Sequence, residues 1–192
     1  MSVKIIFGLG NTGVDYVGTR HNTGAMLLKK LADATGAVFV KNKYCGAFVA
    51  KAAVAGDTAL LAFCDGYMNN SGEGVKKTLA FFKIQPNQTA VIYDDITLPV
   101  GRVKLSLGGS CGGHNGVDDV MQKIGNGFVR IRVGIGAKPF KQMSLADYVL
   151  SPLSESDTDA IMSVDIKAIV SDIISKGLDK AQNIHNRTAA SL

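Results

Sequence analysis

Strand-like and helix-like segments alternate along the whole chain without a break in composition, and this alternation limits the possible folds most. Residues 3–7 and 89–95 have the apolar composition of buried strands, whereas 23–36 and 71–84 repeat apolar residues at helical spacing. The stretch "AFVAKAAVAGDTALLAFC" predicts an antiparallel hairpin that turns at residues 55–57. The pattern therefore predicts an α/β fold, a single domain in which helices cover a mixed, twisted central sheet.

The remaining elements are predicted from the same periodicities. Gly36 is expected to end the first helix, and residues 14–23 show no clean period and are expected to form a loop. Further strands are predicted at "AVFV", "GRVKLSLGG" and "FVRIRVGIG", and a short helix at "VDDVMQKIG". A mostly helical tail is predicted from Ser154 to Asn186, with an apolar side formed by Ile161, Val164, Ile169, Ile173 and Ile174.

Length, cysteine content and charge limit the number of domains, the cellular location and the kind of partner. The 192 residues suffice for one core and are few for two, so we predict a single domain over residues 1–192. Three scattered cysteines make a disulfide framework improbable, and no stretch has the length of a membrane span or a signal-peptide core, so we predict a cytoplasmic location. The net charge of +5 suits a polyanionic partner, although surplus surface lysine explains it equally well.

The stretch "GLGNTG", residues 8–13, matches a dinucleotide-binding fingerprint but lacks its context. That fingerprint needs a helix that begins at the glycines and an acidic residue roughly 20 positions later. The ten residues after the glycines lack a helical period, and the candidate second strand, "AVFVKNKY", contains no acid. These two failures argue against a nicotinamide-dependent oxidoreductase, which we keep only as an alternative.

A second glycine-rich stretch, "LGGSCGGHNG", lacks the Gly-Lys-Ser/Thr ending of a phosphate-binding loop. It could be a flexible turn, but its many glycines favour a backbone that another group approaches closely. Cys111 and His114 could form a thiol nucleophile and its base, although a small residue packed in a turn is the favoured interpretation of Cys111. The three histidines show no zinc-binding spacing, so we expect neither a metal nor a cofactor.

Polar residues gather directly after the predicted apolar elements. They are Asn11, His21 with Asn22, residues 67–70, Asp94 with Asp95, and His114 with Asn115. Since ligand sites of α/β folds lie at the carboxyl ends of strands, these residues could converge. A neutral histidine beside a carboxylate is a general base, and asparagine amides can bind an oxyanion or a peptide edge. The alternative is that they are turn, cap and surface residues.

Taken in order, the motifs resemble those of the bacterial peptidyl-tRNA hydrolase family over nearly the whole chain. They are "KIIFGLGNTGVDYVGTRHNTG", "GYMNNSG", "YDDITLPVGRVKLSLGGSCGGHNG", "FVRIRVGIG", "DYVLSPL" and "AQNIHN". The resemblance implies an enzyme that cleaves the ester between a peptide and the 3′ ribose of tRNA, recycling tRNA from stalled translation. It also implies peptidyl-tRNA as the partner, no metal or cofactor, and a monomer.

The resemblance also implies roles for individual residues. His21 matches the base that activates water, Asp94 the residue that supports it, and Asn11 the position that discriminates blocked from free aminoacyl ends. The residues expected to contact tRNA phosphates flank the proposed cleft in sequence; they are Lys104 and Arg132, which match basic family positions, and Arg102 and Arg130. Substrate-binding positions are matched by Tyr16, Tyr67, Asn69 and Asn115, with Met68 lining the same cleft.

The sequence departs from the family pattern at four positions. Thr12 replaces a usual proline and should loosen its turn slightly, and Thr97 replaces a frequent acid. Ser106 stands where many members are basic, so the phosphate-binding surface should be thinner. Cys111 stands where a small residue or histidine is usual. A non-catalytic RNA- or protein-binding relative is the main rival, and the intact histidine and aspartate of the predicted base argue against it.

Overall fold

The computed structural model describes residues 2–186, which form a seven-stranded sheet with helices on both faces. The strands are β1 (Ile5–Gly8), β2 (Val40–Asn42), β3 (Ala47–Val54), β4 (Asp57–Cys64), β5 (Thr89–Asp95), β6 (Val103–Leu107) and β7 (Val129–Gly134). The α-helices are α1 (Thr23–Thr35), α2 (Ser71–Phe82), α3 (Asn115–Ile124), α4 (Leu145–Leu150), α5 (Glu155–Met162), α6 (Ile166–Lys176) and α7 (Leu178–His185). Short 3-10 helices span Val14–Tyr16, Arg20–Asn22, Met68–Asn70 and Pro86–Gln88.

The sheet is mixed, with the strand order β2-β3-β4-β1-β5-β7-β6. Strand β1 is parallel to β4 and β5, and β7 is parallel to β5, whereas β3 and β6 are antiparallel to their neighbours. The predicted fold class, including its antiparallel hairpin, is therefore confirmed. Because four adjacent strands are parallel, their carboxyl ends meet at one edge, where a ligand site is expected.

Each face of the sheet carries its own apolar core. Ile6 and Ile92 point to the face covered by α1, α6 and α7, whereas Phe7 and Val91 point to the face covered by α2 and α3. The alternation along β1 and β5 follows from the two-residue repeat of a strand. Because these strands are buried on both faces, their sequences are continuous apolar runs rather than alternating ones.

Most element predictions hold, with small differences at the ends. The hairpin turns at Ala55 and Gly56, both with positive φ, and α1 ends at Gly36 in the left-handed conformation. The apolar side predicted for the tail is buried as expected. Strand β2 begins only at Val40, since Ala37 still donates its backbone N–H to the end of α1.

Two segments differ from the predictions. Residues 14–23 contain two 3-10 turns and the start of α1, and helix α4 was not predicted. That helix has only six residues, too few for a periodic signal, and is started by the side chain of Ser144, which accepts from the backbone N–H of Asp147.

Within residues 2–186, no helix is long and apolar enough to cross a membrane. The single-domain boundaries stay a prediction, because Met1 and residues 187–192 lie outside the described part.

The glycines of the fingerprint-like stretch have a packing role. Helix α1 begins only at Thr23, well after those glycines in the sequence, as expected when the dinucleotide motif was rejected. A Cβ on Gly24 would lie 2.3 Å from the carbonyl oxygen of Ile92, and one on Gly8 would lie 2.5 Å from that of Gly24. Gly8 and Gly24 therefore let the start of α1 lie directly against the ends of β1 and β5, which brings the loop before α1 to the carboxyl edge of the sheet.

Candidate active site

Three residues from distant parts of the chain meet at this edge in one hydrogen-bonded group, called here the imidazole cluster: His21, Asp94 and His114. His21 lies in the 3-10 turn before α1, Asp94 near the end of β5, and His114 at the N-cap of α3. The Nδ1 atom of His21 lies 2.9 and 3.0 Å from the two carboxylate oxygens of Asp94, and Nε2 of His114 lies 3.0 Å from Oδ1. The predicted pairing of His21 with Asp94 is therefore present.

Hydrogen bonding assigns the protons of both rings. The Nδ1 atom of His114 accepts the backbone N–H of Val117 at 3.2 Å, so its proton resides on Nε2, which donates to Asp94. The Nδ1–H of His21 likewise donates to Asp94. A neutral His21 then carries its lone pair on Nε2, the ring nitrogen that faces away from Asp94. This is the tautomer that a general base requires.

The charge of Asp94 is stabilised in place. Only 3% of Asp94 is exposed, and such burial by itself would raise the pKa of its carboxyl group. The electrostatic interaction and hydrogen bond with His114, followed by the hydrogen bond and electrostatic interaction with His21, outweigh this burial and lower the pKa of Asp94 well below its ordinary value. The carboxylate therefore stays ionised and can orient His21 and stabilise its imidazolium form.

The loop that carries His21 is clamped against the C-terminal third of the chain. Thr19 forms an isolated β-bridge with Pro152, and the guanidinium of Arg20 donates to Ser151 Oγ at 2.8 Å and to the Pro152 carbonyl. Arg20 also pairs with Asp157 at 3.1 Å. The motif "DYVLSPL" thus contributes by holding the histidine loop.

A second group of predicted residues surrounds Asn11. The side chain of Asn22 accepts from the backbone N–H of Asn11 at 2.8 Å and donates to its carbonyl at 2.9 Å. The backbone N–H of Met68 donates to Asn11 Oδ1 at 2.7 Å. Because Oδ1 accepts this bond, the amide presents its NH₂ group, a pure donor, to a ligand.

The other predicted substrate residues of this side lie in the same loop pair. Tyr16 and Tyr67 contact each other edge to face, with ring centroids 6.2 Å apart, and Tyr67 is 62% exposed. Met68 is buried against Gly116, where a Cβ would lie 2.4 Å from its sulfur, and Asn69 is exposed in the following 3-10 turn. Asn11, Tyr16, Tyr67, Met68 and Asn69 therefore form one region, as their predicted shared role requires.

A cleft of about 470 Å³ is lined by all three residues of the imidazole cluster. Asn115, the last of the predicted substrate residues, lines it at the start of α3, and so does Arg132. The glycine-rich stretch forms one wall through residues 110–113, and Leu145 and Val149 of α4 form another. The predicted residues thus form two groups, one around Asn11 and one in the cleft.

The chain is similar to known proteins in both sequence and fold. The sequence pattern that defines the family described as peptidyl-tRNA hydrolase matches residues 5–191. The chain belongs to this family. A peptidyl-tRNA hydrolase of Aquifex aeolicus is 42% identical over 172 residues, which are 88% of each chain. One of Geobacter sulfurreducens is 40% identical over 189 residues, 97% of this chain and 96% of the relative.

Solved structures from the peptidyl-tRNA hydrolase family share the fold. The enzyme of Acinetobacter baumannii superposes with a TM-score of 0.89 at 28% identity, covering 96% of this chain and 95% of its own. A peptidyl-tRNA hydrolase in complex with N-propanol gives a TM-score of 0.91 at 28% identity, covering 98% and 97% of the two chains. The family resemblance of the motifs and the predicted fold class are therefore both confirmed.

His114 is the site residue that sequence reasoning did not assign. Its position three residues after Cys111 suggested a thiol pair, but its ring bonds to Asp94 and caps α3. In the described residues, the ligand atoms of His21, Asp94 and His114 lie within 4.8 Å of one another, a set that could hold a metal. The facing atoms already form hydrogen bonds of 2.9–3.0 Å that need a proton on each ring, so a metal would have to displace those protons.

The predicted basic residues separate into exposed and structural groups. Lys104 and Arg132 are directly opposite on β6 and β7; Lys104 is exposed and Arg132 pairs with Asp95 at 3.1 Å. Arg130 is buried, and its guanidinium donates to the carbonyls of Gly109 and Ser110 at the base of the glycine-rich stretch. The expectation that Arg130 contributes to phosphate binding is therefore wrong, because its donors hold that loop.

The structure also places the fourth of the predicted basic residues and two of the departures from the family pattern. Arg102 donates to the backbone carbonyl of Asn186 near the C-terminus. Thr97 donates its backbone N–H and its hydroxyl to Asp95, at 2.8 and 2.6 Å, and so helps to hold the partner of Arg132. Cys111 is half-buried in the cleft wall, and all three cysteines are free thiols.

Proposed function

We propose that this chain hydrolyses the ester that joins a peptide, or an N-blocked aminoacyl group, to the 3′ ribose of tRNA, with His21 as the general base. The observation that carries the proposal is the bond of His21 Nδ1–H to both oxygens of buried Asp94, which leaves Nε2 to accept a proton. Membership of the peptidyl-tRNA hydrolase family supports the reaction.

The reaction needs two proton transfers through the same ring. His21 Nε2 takes a proton from water as the water oxygen attacks the acyl carbon, and the ester carbonyl becomes an oxyanion. Asp94 stabilises the imidazolium that forms. When the bond between the acyl carbon and the ribose 3′ oxygen breaks, the imidazolium returns the proton to that oxygen. The products are tRNA with its 3′ hydroxyl restored and a peptide with a free carboxyl group, which ionises by releasing its proton to solvent.

Asn11 is proposed to recognise the blocked end of the acyl group. Its Oδ1 accepts from Met68, so its NH₂ group can donate to a carbonyl of a peptide or an N-acyl group. A free aminoacyl end carries an ammonium group, which only donates and would face this donor unfavourably. The bonding of Asn11 thus gives a physical reason for discrimination between blocked and free ends.

The remaining predicted residues are proposed to bind the two parts of the substrate. Lys104 and Arg132 would contact tRNA phosphates, since they lie side by side on the sheet edge next to the cleft. A monomeric state, a cytoplasmic location and the absence of a cofactor stay predictions. Tyr16, Tyr67, Met68, Asn69 and Asn115 are proposed to hold the peptidyl and 3′-terminal parts.

The decisive experiment uses N-blocked aminoacyl-tRNA and its unblocked form in parallel, with release of free tRNA as the readout. Cleavage of the blocked substrate with little cleavage of the free form is the expected result. Binding of both without cleavage of either would instead indicate the non-catalytic RNA-binding relative.

Lys104→Ala and Arg132→Ala are each expected to raise the KM for tRNA substrates several-fold while changing kcat little. Each variant should also lower the slope of log affinity against log salt by about one, since one phosphate contact is lost. Titrations with tRNA across a salt series measure this slope. Lys29→Ala, at an exposed position of α1, is the matched control. Slopes equal to that of the control would show that Lys104 and Arg132 do not contact tRNA phosphates.

Asp94 is expected to stay ionised, and so to keep orienting His21, at pH values at which an ordinary aspartate is already protonated. Because the pKa of Asp94 is lowered, its contribution to stability is fully present above the unfolded-state value of about 4 and is lost only as pH falls through the lower folded value. The carbon chemical shift of the Asp94 carboxyl group, followed by NMR as the pH is lowered, should therefore still have its ionised value at about pH 4, where an unperturbed aspartate is roughly half protonated. A change of this chemical shift that is complete by about pH 4 would contradict the ionised state assigned to Asp94.

A further inference from the structure

Thr12 joins two loops of the site through three hydrogen bonds. Its backbone N–H and its hydroxyl both donate to the carbonyl oxygen of Gly66, each at 2.9 Å. The backbone N–H of Gly66 in turn donates to Thr12 Oγ1 at 2.6 Å. The hydroxyl is thus used as donor and acceptor at once, which was not expected when Thr12 was predicted to loosen its turn. The turn is instead cross-linked to a segment 54 residues away.

This cross-link lies next to the contact that orients Asn11. Asn11 precedes Thr12, and Met68, whose N–H donates to Asn11 Oδ1 at 2.7 Å, follows Gly66 by two residues. The two bonded pairs, Thr12 with Gly66 and Asn11 with Met68, therefore run side by side between the same loops. Exposed Tyr67 lies between the two anchored residues of its loop, so its placement also depends on them.

We propose that Thr12 is a positioning residue that holds the loop of Gly66–Met68 in register with Asn11 and so sets the binding of the acyl group. The inference rests on the role proposed above for Asn11. A proline, usual at this position in the family that the sequence resembles, has neither an N–H nor a hydroxyl to make these bonds. In this chain the hydroxyl supplies the order that a proline ring supplies by fixing its backbone angle.

Loss of the cross-link should affect mainly the binding of the acyl group of the substrate. His21 and Asp94 are held by α1, β5 and the segment at residues 151–157, with no contribution from Thr12 among the contacts described above. Weakening the cross-link should therefore raise the KM for N-blocked substrate and reduce discrimination against free aminoacyl-tRNA, while kcat changes little. A merely structural threonine would change stability alone.

The test compares Thr12→Val, which keeps the shape and the N–H but removes the hydroxyl, with Thr12→Ser, which keeps the hydroxyl. The valine variant is expected to raise KM roughly three- to tenfold, with kcat within about twofold, and the serine variant to stay near the wild type. The backbone N–H groups of Gly66 and Met68 should exchange faster with solvent only in the valine variant. Thr35→Val, whose hydroxyl bonds only to carbonyls of its own helix, is the control for loss of a threonine hydroxyl.

A valine variant with wild-type KM, discrimination and amide exchange would overturn the proposal. An equal rise in KM in the valine and serine variants would also overturn it, since the hydroxyl would then not be responsible for binding the acyl group. If the wild type lacked hydrolase activity, the proposed function would fail, while faster exchange at Gly66 and Met68 in the valine variant would still show the cross-link. The two failures are thereby distinguishable.

Discussion

Replacing His21 with alanine is expected to lower kcat for N-blocked aminoacyl-tRNA by about 10²–10⁴-fold, the contribution typical of a positioned general base. The ring supplies Nε2 as proton acceptor, and alanine leaves water without a base. Binding of tRNA should persist, since Lys104 and Arg132 are untouched. Single-turnover cleavage and tRNA binding, measured on the same preparation, separate these two quantities.

The matched control for this experiment is His185→Ala. His185 also bonds to an aspartate, Asp172, at 3.0 Å, but it lies on α7, and neither residue lines the cleft. Its removal should leave kcat unchanged. Melting temperatures of both variants check the fold, because His21 is itself buried. Substantial hydrolysis by a folded His21→Ala protein would defeat the assignment of the base.

Asp94→Asn is expected to reduce kcat by a similar factor of about 10²–10⁴ through the wrong tautomer of His21. The carboxylate accepts from both rings, whereas an amide offers one acceptor and one donor group. If the amide NH₂ faces His21, Nδ1 must become the acceptor and the proton moves to Nε2. His21 then has no lone pair for water. Loss of kcat with little change in KM is the expected signature.

Asp95→Asn separates this effect from a general loss of negative charge. Asp95 is the next residue of β5, so its side chain points to the opposite face, where it pairs with Arg132 and accepts from Thr97. Its substitution should alter the salt dependence of binding and leave kcat within a few-fold. An Asp94→Asn protein as active as Asp95→Asn would show that tautomer control by Asp94 is unimportant.

Local patterns predicted the parts that depend on neighbours in the chain. The hairpin, α1 and the apolar side of the tail follow from periodicity, because backbone geometry repeats every 2 or 3.6 residues. The chemistry of a histidine supported by a carboxylate is likewise readable from residue types. The family resemblance assigned His21 to Asp94, and the structure places the two in contact.

Relations across the sheet could not be read in this way. Arg130 and Arg132 both occur in a strand pattern, yet Arg130 lies beneath the glycine-rich loop and Arg132 lines the cleft, as the position of that loop over the sheet decides. Spacing gave His114 no role with Asp94, since 20 residues separate them and only the position of the start of α3 next to the end of β5 brings them together.

By itself, the sequence predicted a base at His21 through the family resemblance, and it determined the order and type of the main elements and the rejection of the dinucleotide motif. These depend on local backbone preferences and on the chemistry of single residues. The tertiary structure alone decided that Asp94 serves two imidazoles, that Thr12 cross-links the Asn11 loop, and that glycines 8 and 24 serve packing. Hydrogen bonds and close contacts between segments distant in sequence depend on how the layers pack, which no local pattern encodes.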